Sequence, residues 1–174
     1  MMSATGTLTG EQSDILQTLA KHRDFLRYTA RDLTDEQAAQ RTTVSQLSVG
    51  GIIKHVTGVE RQWARFIAEG PAAIPSWQDE TAMQTYADGF RMLPGETLDG
   101  LLADYAAAAN ATDGLVAALP DLDGGHPLPE APWYEKGAAW SARRVLLHLI
   151  AETSQHAGHA DIIRESLDGA KTMG

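Results

Sequence analysis

A chain of 174 residues with a net charge of −9 and a pI near 5.0 has little to offer a phosphate backbone or an anionic lipid surface. No nucleic acid and no membrane is therefore expected among its partners. Hydrophobic residues make up 43% and charged residues 21%, as in ordinary soluble domains, and one domain over 1–174, with its core at 8–169, is the simplest organisation. There is no cysteine, which removes disulfides, thiolate metal knuckles and a cysteine nucleophile. Thiol chemistry here would need a thiol brought in from outside. Residues 1–10 lack the apolar stretch of a signal peptide, and no run approaches the length of a membrane span, so a cytoplasmic protein is expected.

In chain order, residues 8–33 read as the first helix, with Thr9 as its cap and Ile15, Leu16, Leu19, Leu26, Ala30 and Leu33 as its apolar stripe. His22 lies beside that stripe and reads as a packed core or edge residue. Thr34 starts a short helical turn, followed by a polar connection through Arg41 to Ser45. Ser48 caps a second long helix that runs to Glu69 and stops at Gly70-Pro71. Its inward face carries Ile52, His55, Val59, Trp63 and Phe66. A histidine among four large apolar neighbours reads on its own as a core histidine, bonded to a carbonyl or hydroxyl.

Residues 71–95 form a long connection with Ile74, Trp77, Tyr86 and Phe90 in it and a short helix at 81–92. Such a connection serves as a lid or as a crossover between distant helices. Thr97 caps a third long helix, which continues to Leu119 and reads as scaffold. Residues 121–139 are too rich in Gly and Pro for a helix, and Trp133, Tyr134 and Trp140 suggest an aromatic rim. His126 reads as solvated. Ser141 caps the last helix, which ends at Asp168-Gly169, with a frayed tail after it. No β-rich segment, repeat or phosphate-binding glycine loop is evident. The expected fold is all-α, a four-helix bundle with long crossover connections.

The last helix carries the chemistry. His148, Glu152, His156 and His159 fall within about 80° of arc at 100° per residue, on a face flanked by Val145, Ile162 and Ile163. A polar centre between apolar ends implies a face turned inward, where an imidazole or carboxylate must find a partner. Glu152 and His156 make an i, i+4 pair, and His55 from the second helix completes three donors. Two imidazoles and one carboxylate suit zinc with an open fourth position, and equally nickel, iron or manganese. Spacing alone also admits His148 with Glu152, or His156 with His159, each joined by His55. A solvated face is the bland alternative.

The closing segment ETSQHAGHADIIRESLDG at 152–169 resembles the final motif of the DinB-like superfamily. SVGGIIKHVTGVERQW at 48–63 is similar to its second-helix histidine motif, and LAKHR at 19–23 and LTDEQ at 33–37 to its first-helix pattern. Many members use three histidines. Glu152 at the middle position resembles instead the mycothiol-dependent maleylpyruvate isomerase and its single-domain relatives. The isomerase's additional C-terminal domain has no counterpart here, so the isomerase reaction itself is not expected. The resemblance implies His55, Glu152 and His156 as metal ligands, with His148 and His159 as neighbouring pocket groups. It further implies a metal-dependent thiol S-transferase that takes a low-molecular-weight thiol, mycothiol or bacillithiol, as co-substrate with an electrophile, and a homodimer. His159 is the candidate catalytic residue for handling the proton. The competing expectations are a metal-dependent hydrolase, with water in the open position, and a non-catalytic, stress-associated bundle whose ion only stabilises the fold.

Overall fold

Four hydroxyl side chains start the four long helices. In the computed structural model, which describes residues 8–172, Thr9, Ser48, Thr97 and Ser141 accept hydrogen bonds from the backbone N–H groups of Gln12, Gly51, Gly100 and Arg144. Each satisfies a donor that the first turn would leave orphaned. The helices are α1 (Gly10–Thr29), α2 (Asp35–Ala39), α3 (Val49–Glu69), α4 (Glu80–Asp88), α5 (Leu98–Ala118) and α6 (Ala142–Asp168). The expectations for residues 1–7 and 173–174 lie outside the described residues.

The long helices α1, α3, α5 and α6 form the expected bundle. Around it α1 touches α6, α6 touches α3, α3 touches α5 and α5 returns to α1, so α1 faces α3 across the middle. Side-chain bonds give the directions. Arg143 at the start of α6 donates to Glu11 at the start of α1, while Arg164 near the end of α6 donates to the carbonyls of Thr29 (2.8 Å) and Arg31 (2.6 Å). Those two helices are parallel. So are α3 and α5, through Lys54–Glu96 (2.7 Å) and Arg61–Asp104 (3.0 Å). The Gln12 amide reaches the carbonyls of Val116 (3.0 Å) and Leu119 (3.1 Å), which sets α1 antiparallel to α5. The order is up, down, down, up. Two successive parallel helices need a connection that travels the bundle's length, and residues 70–97 do that.

Several expectations are corrected. The first helix stops at Thr29 rather than 33, because Asp32 takes a left-handed conformation (φ 59°) that ends regular helix. The short connection helix spans Glu80–Asp88, one residue earlier at its start and shorter than 81–92, because Asp79 caps it by accepting from the N–H groups of Thr81 and Ala82. Residues 121–141 contain two short antiparallel strands, β1 (Gly125–Pro127) and β2 (Ala139–Ser141), with His126 opposite Trp140. Three residues are too few to show an alternating pattern. A Cβ at Gly125 would collide with the Trp140 carbonyl, so only glycine lets the strands approach. His126 is half-buried rather than solvated: its Nε2 lies 3.1 Å from the Ile67 carbonyl and its ring edges onto Phe66. Nor is the tail frayed as far as Thr172, whose backbone N–H donates to Asp161 (2.7 Å) and whose hydroxyl meets that of Thr29 (2.6 Å).

The apolar core has two halves. One gathers around Leu26, Ile52, Ile53 and Tyr105, the other around Leu19, Trp63, Phe66 and Leu146. Between them lies a charged layer. Arg23 of α1 sits one turn from Leu19 and Leu26, and Glu60 of α3 holds the equivalent place between Val56 and Trp63. Both are about 1% exposed, and the guanidinium clasps both carboxylate oxygens while donating to Asp113 of α5 at 2.9 Å. Burial works against the Arg23 charge, but Glu60 and Asp113 outweigh it and its pKa lies above the usual value. A buried pair of this kind adds little over an apolar one, but removing a single partner strands a charge. Glu60→Ala is expected to cost about 3–5 kcal/mol in urea unfolding, whereas Arg61→Ala, which removes an exposed pair, should cost under about 1 kcal/mol.

Candidate metal centre

Where α3 runs antiparallel to α6, the sequence puts polar groups on an apolar seam. His55 is one turn from Ile52 and Val59 and is 6% exposed. On α6, Glu152 and His156 follow the buried Val145 and Leu149 and precede Ile163, and both are half-buried. Ile162 departs from expectation. It lies about 40° beyond His148 on the helical wheel and is 63% exposed, so only Ile163 closes the seam.

The structure brings His55, Glu152 and His156 together, each offering a ligand atom, with all three atoms within 4.8 Å of one another. The Glu152 Oε2 stands 4.0 Å from the His55 Nε2 and 3.6 Å from the His156 Nε2. The two imidazole rings meet edge to face at 4.8 Å. His148 and His159 lie on the same face, one turn to either side, and neither joins this group. The His159 ring is 5.4 Å from that of His156, and the Nδ1 atoms of both are buried with no hydrogen-bond partner among the described residues. His148 is boxed by Trp63 (5.1 Å) and Trp140 (5.3 Å).

Protonation suits ligation. Burial, and then the neighbouring His156, lower the His55 pKa to about 4. Burial, and then His159, lower that of His156. Burial also lowers His148, with Glu152 pulling the other way and Arg144 assisting. At neutral pH the imidazoles of His55 and His156 are therefore uncharged and each keeps a free lone pair. Bonds of about 2.0–2.2 Å to one ion put donors about 3–4 Å apart, which the distances to Glu152 match. Two neutral nitrogens and one carboxylate fit a divalent cation.

The long connection covers this group. Phe90 stacks on His55 with ring centroids 3.9 Å apart, and Tyr86 edges onto both at 5.9 and 5.2 Å. Burial, and then Glu152, raise the Tyr86 pKa. The aromatics of 71–95 were legible as residues but not as to role: Tyr86 and Phe90 lie over the site, whereas Trp77 meets Trp133. Gly51 makes the cover possible, since a Cβ there would overlap the Phe90 carbonyl. Of the expected aromatic rim, Trp140 is an inner member, stacked on Trp63 at 4.7 Å, while Trp133 is exposed. The Arg23–Glu60 pair escaped the sequence reading, although opposite charges at core positions of two helices were its visible signal. His22 is half-buried against Phe25, as expected.

The bundle, with a His/Glu/His group shared between its second and fourth long helices, defines a DinB-like protein. A solved structure of a conserved protein from Enterococcus faecalis shares the fold with a TM-score of 0.64 at 15% identity, covering 95% of this chain and 100% of that one. A comparison with curated proteins gave no match. The sequence profile of the mycothiol-S-transferase family matches residues 14–169, and the chain belongs to that family. Among the described residues, no helix is long and apolar enough to cross a membrane.

Two measurements follow from the geometry. His55 titrates near 4 when folded, against an ordinary value of 6.5, so the unfolded chain takes up its proton first as pH falls. Stability of the metal-free protein should decline from about pH 6.5 toward 4, and His55→Gln should flatten that decline in urea unfolding. Equal slopes for the two proteins would contradict the assignment. Gly51→Ala must displace Phe90 from the His55 ring, and metal affinity by equilibrium dialysis is expected to fall about 10-fold while the helical circular dichroism persists.

Proposed function

We propose that this protein is a metal-dependent thiol S-transferase that transfers mycothiol sulfur to an electrophile. The observation that carries the reading is the convergence of His55, Glu152 and His156 from two helices beneath Phe90, in a chain of the mycothiol-S-transferase family. In this reading His55, Glu152 and His156 hold a divalent ion, zinc being the first choice for two imidazoles and a carboxylate, with nickel, iron and manganese compatible. An ion bound there supplies the acidity that makes a thiol a thiolate near neutral pH. The absence of cysteine suits an enzyme whose only thiol arrives with the substrate.

The chain's own groups divide the remaining work. The Glu152 carboxylate would offset one charge of a divalent ion held there, and the uncharged His55 and His156 would add none. Phe90 and Tyr86 cover His55 and limit water there, which strengthens electrostatics at the site. His148, held by Trp63 and Trp140, flanks the approach on the side of the β1–β2 hairpin. His159, one turn past His156, is assigned to accept the thiol proton as sulfur becomes the nucleophile.

Cobalt substitution tests this. One cobalt per chain and a thiolate-to-cobalt absorption band on adding mycothiol are the expected result. His55→Ala, Glu152→Ala and His156→Ala should each weaken cobalt binding more than about 100-fold, beyond what loss of an outer neighbour does. His159→Gln should leave binding intact and slow transfer by about 100-fold at neutral pH, the usual scale of a lost proton acceptor. Full cobalt retention in the three ligand variants, or no sulfur band in the wild type, overturns the proposal.

A further inference from the structure

Among the described residues, α4 is the one helix with no buried residue. The chain on either side of it is pinned. Ala73 is buried, and Ile74 packs against the core half around Leu19 and Phe66. Beyond α4, the Phe90 carbonyl and the Met92 side chain fill the gaps left on α3 by Gly51 and Gly50. The Arg91 carbonyl accepts from Lys54 (3.3 Å), which also pairs with Glu96. Between these anchors none of residues 75–89 is buried, and among the described residues their hydrogen bonds stay within 76–91.

Side chains alone therefore hold α4 to the protein. Tyr86 edges onto the rings of His55 and Phe90 but is itself 58% exposed, and Trp77 meets the exposed Trp133. So little apolar burial gives only a weak hold against the chain entropy that release returns. Nor can the helix survive release. Its nine residues fall short of the about 12–15 that an isolated helix needs in water, and Thr81 and Thr85 are poor helix formers. Detachment and unwinding are thus a single local event, of the kind that proteins undergo far below the cost of global unfolding.

That event lies over the candidate metal centre. His55 is the deepest of the three donors, its side chain 6% exposed against 13% for His156 and 27% for Glu152. When α4 leaves, Tyr86 leaves with it, while Phe90, on the anchored side of Gly89, keeps its stacking on His55. Opening therefore exposes His55 along the edge that Tyr86 covers, without dismantling the group of donors.

We propose that α4 is a gate. It unwinds and re-forms between its two anchors, and the open state admits a divalent ion or a small ligand to His55 from that side. Because α4 has no share in the buried core, it opens without loss of the bundle. The gate is a property of the metal-free chain, and only the identity of what passes it rests on the thiol-transferase reading.

Gln84, exposed at the middle of α4, takes either alanine or glycine in the test. Glycine lowers the helix equilibrium about 5-fold relative to alanine, and no donor is altered. On the metal-free full chain at neutral pH, hydrogen exchange reads the α4 amides and diethyl pyrocarbonate reads His55, its acylation located by peptide mass. Both rates are expected to be about 5-fold higher in Gln84→Gly than in Gln84→Ala, with His22 of α1 acylated equally and the urea midpoint unchanged. An equal His55 rate in the two variants overturns the proposal, since a fixed cover would give it. So do α4 amides that exchange as slowly as those of α3. Cobalt release to a chelator should quicken by the same factor, and equal release rates also overturn the proposal. Failure of cobalt to bind would instead remove the transferase reading, while the His55 rate would still decide the gate.

Discussion

Everything of chemical interest in this protein depends on α3 lying against α6. Each helix brings an apolar stripe to that seam, and each interrupts it with groups that water would otherwise solvate: His55 on one side, Glu152 and His156 on the other. Hydrophobic burial along the rest of the seam holds these groups in proximity against their own preference for solvent. The depressed imidazole pKa values are the record of that opposition, since burial is the first cause at His55 and at His156. Packing sets the geometry, and the geometry makes the donors ready for a cation.

The same trade appears at the middle of the bundle. Arg23, Glu60 and Asp113 join α1, α3 and α5 through a layer that divides the apolar core in two. α1 and α3 face each other across the middle of the bundle, and the Arg23–Glu60 pair joins them directly at that level. Glu60 lies five residues beyond His55, so a layer that holds α3 in register also holds the histidine at its height against α6.

Much of this was legible in the sequence. Capping hydroxyls at Thr9, Ser48, Thr97 and Ser141 marked the four long helices to within a residue or two at their starts, because a cap is a local event. The stripe around His55 and the four-residue recurrence at 148, 152 and 156 marked the facing sides. Spacing left the donor set open between Glu152–His156 and its neighbours. Only the antiparallel pairing of α3 with α6 brings 152 and 156, rather than 148 or 159, to the height of His55. What stayed hidden was non-local: the strand pair, fixed by a close approach at Gly125; His126 bonding to Ile67; and Phe90 laid over His55 through the gap left at Gly51. Ile162 misled because a helical face has edges, and 40° decided between seam and solvent.

The parallel alignment of α1 with α6 carries a consequence for how the chain reaches this shape. Arg164 grips carbonyls 135 and 133 residues earlier in the sequence, so the contacts that close the ring join distant parts of the polypeptide. In an up-and-down bundle each hairpin gains its contacts as it forms. Here the most extensive neighbour of α1 is α6, the last helix of the chain, with α5 making a smaller contact. Long-range closure of this sort slows the search, because the entropy of a large loop is lost before its contacts form. This architecture is therefore bound to acquire its native state later than its high helix content alone would suggest.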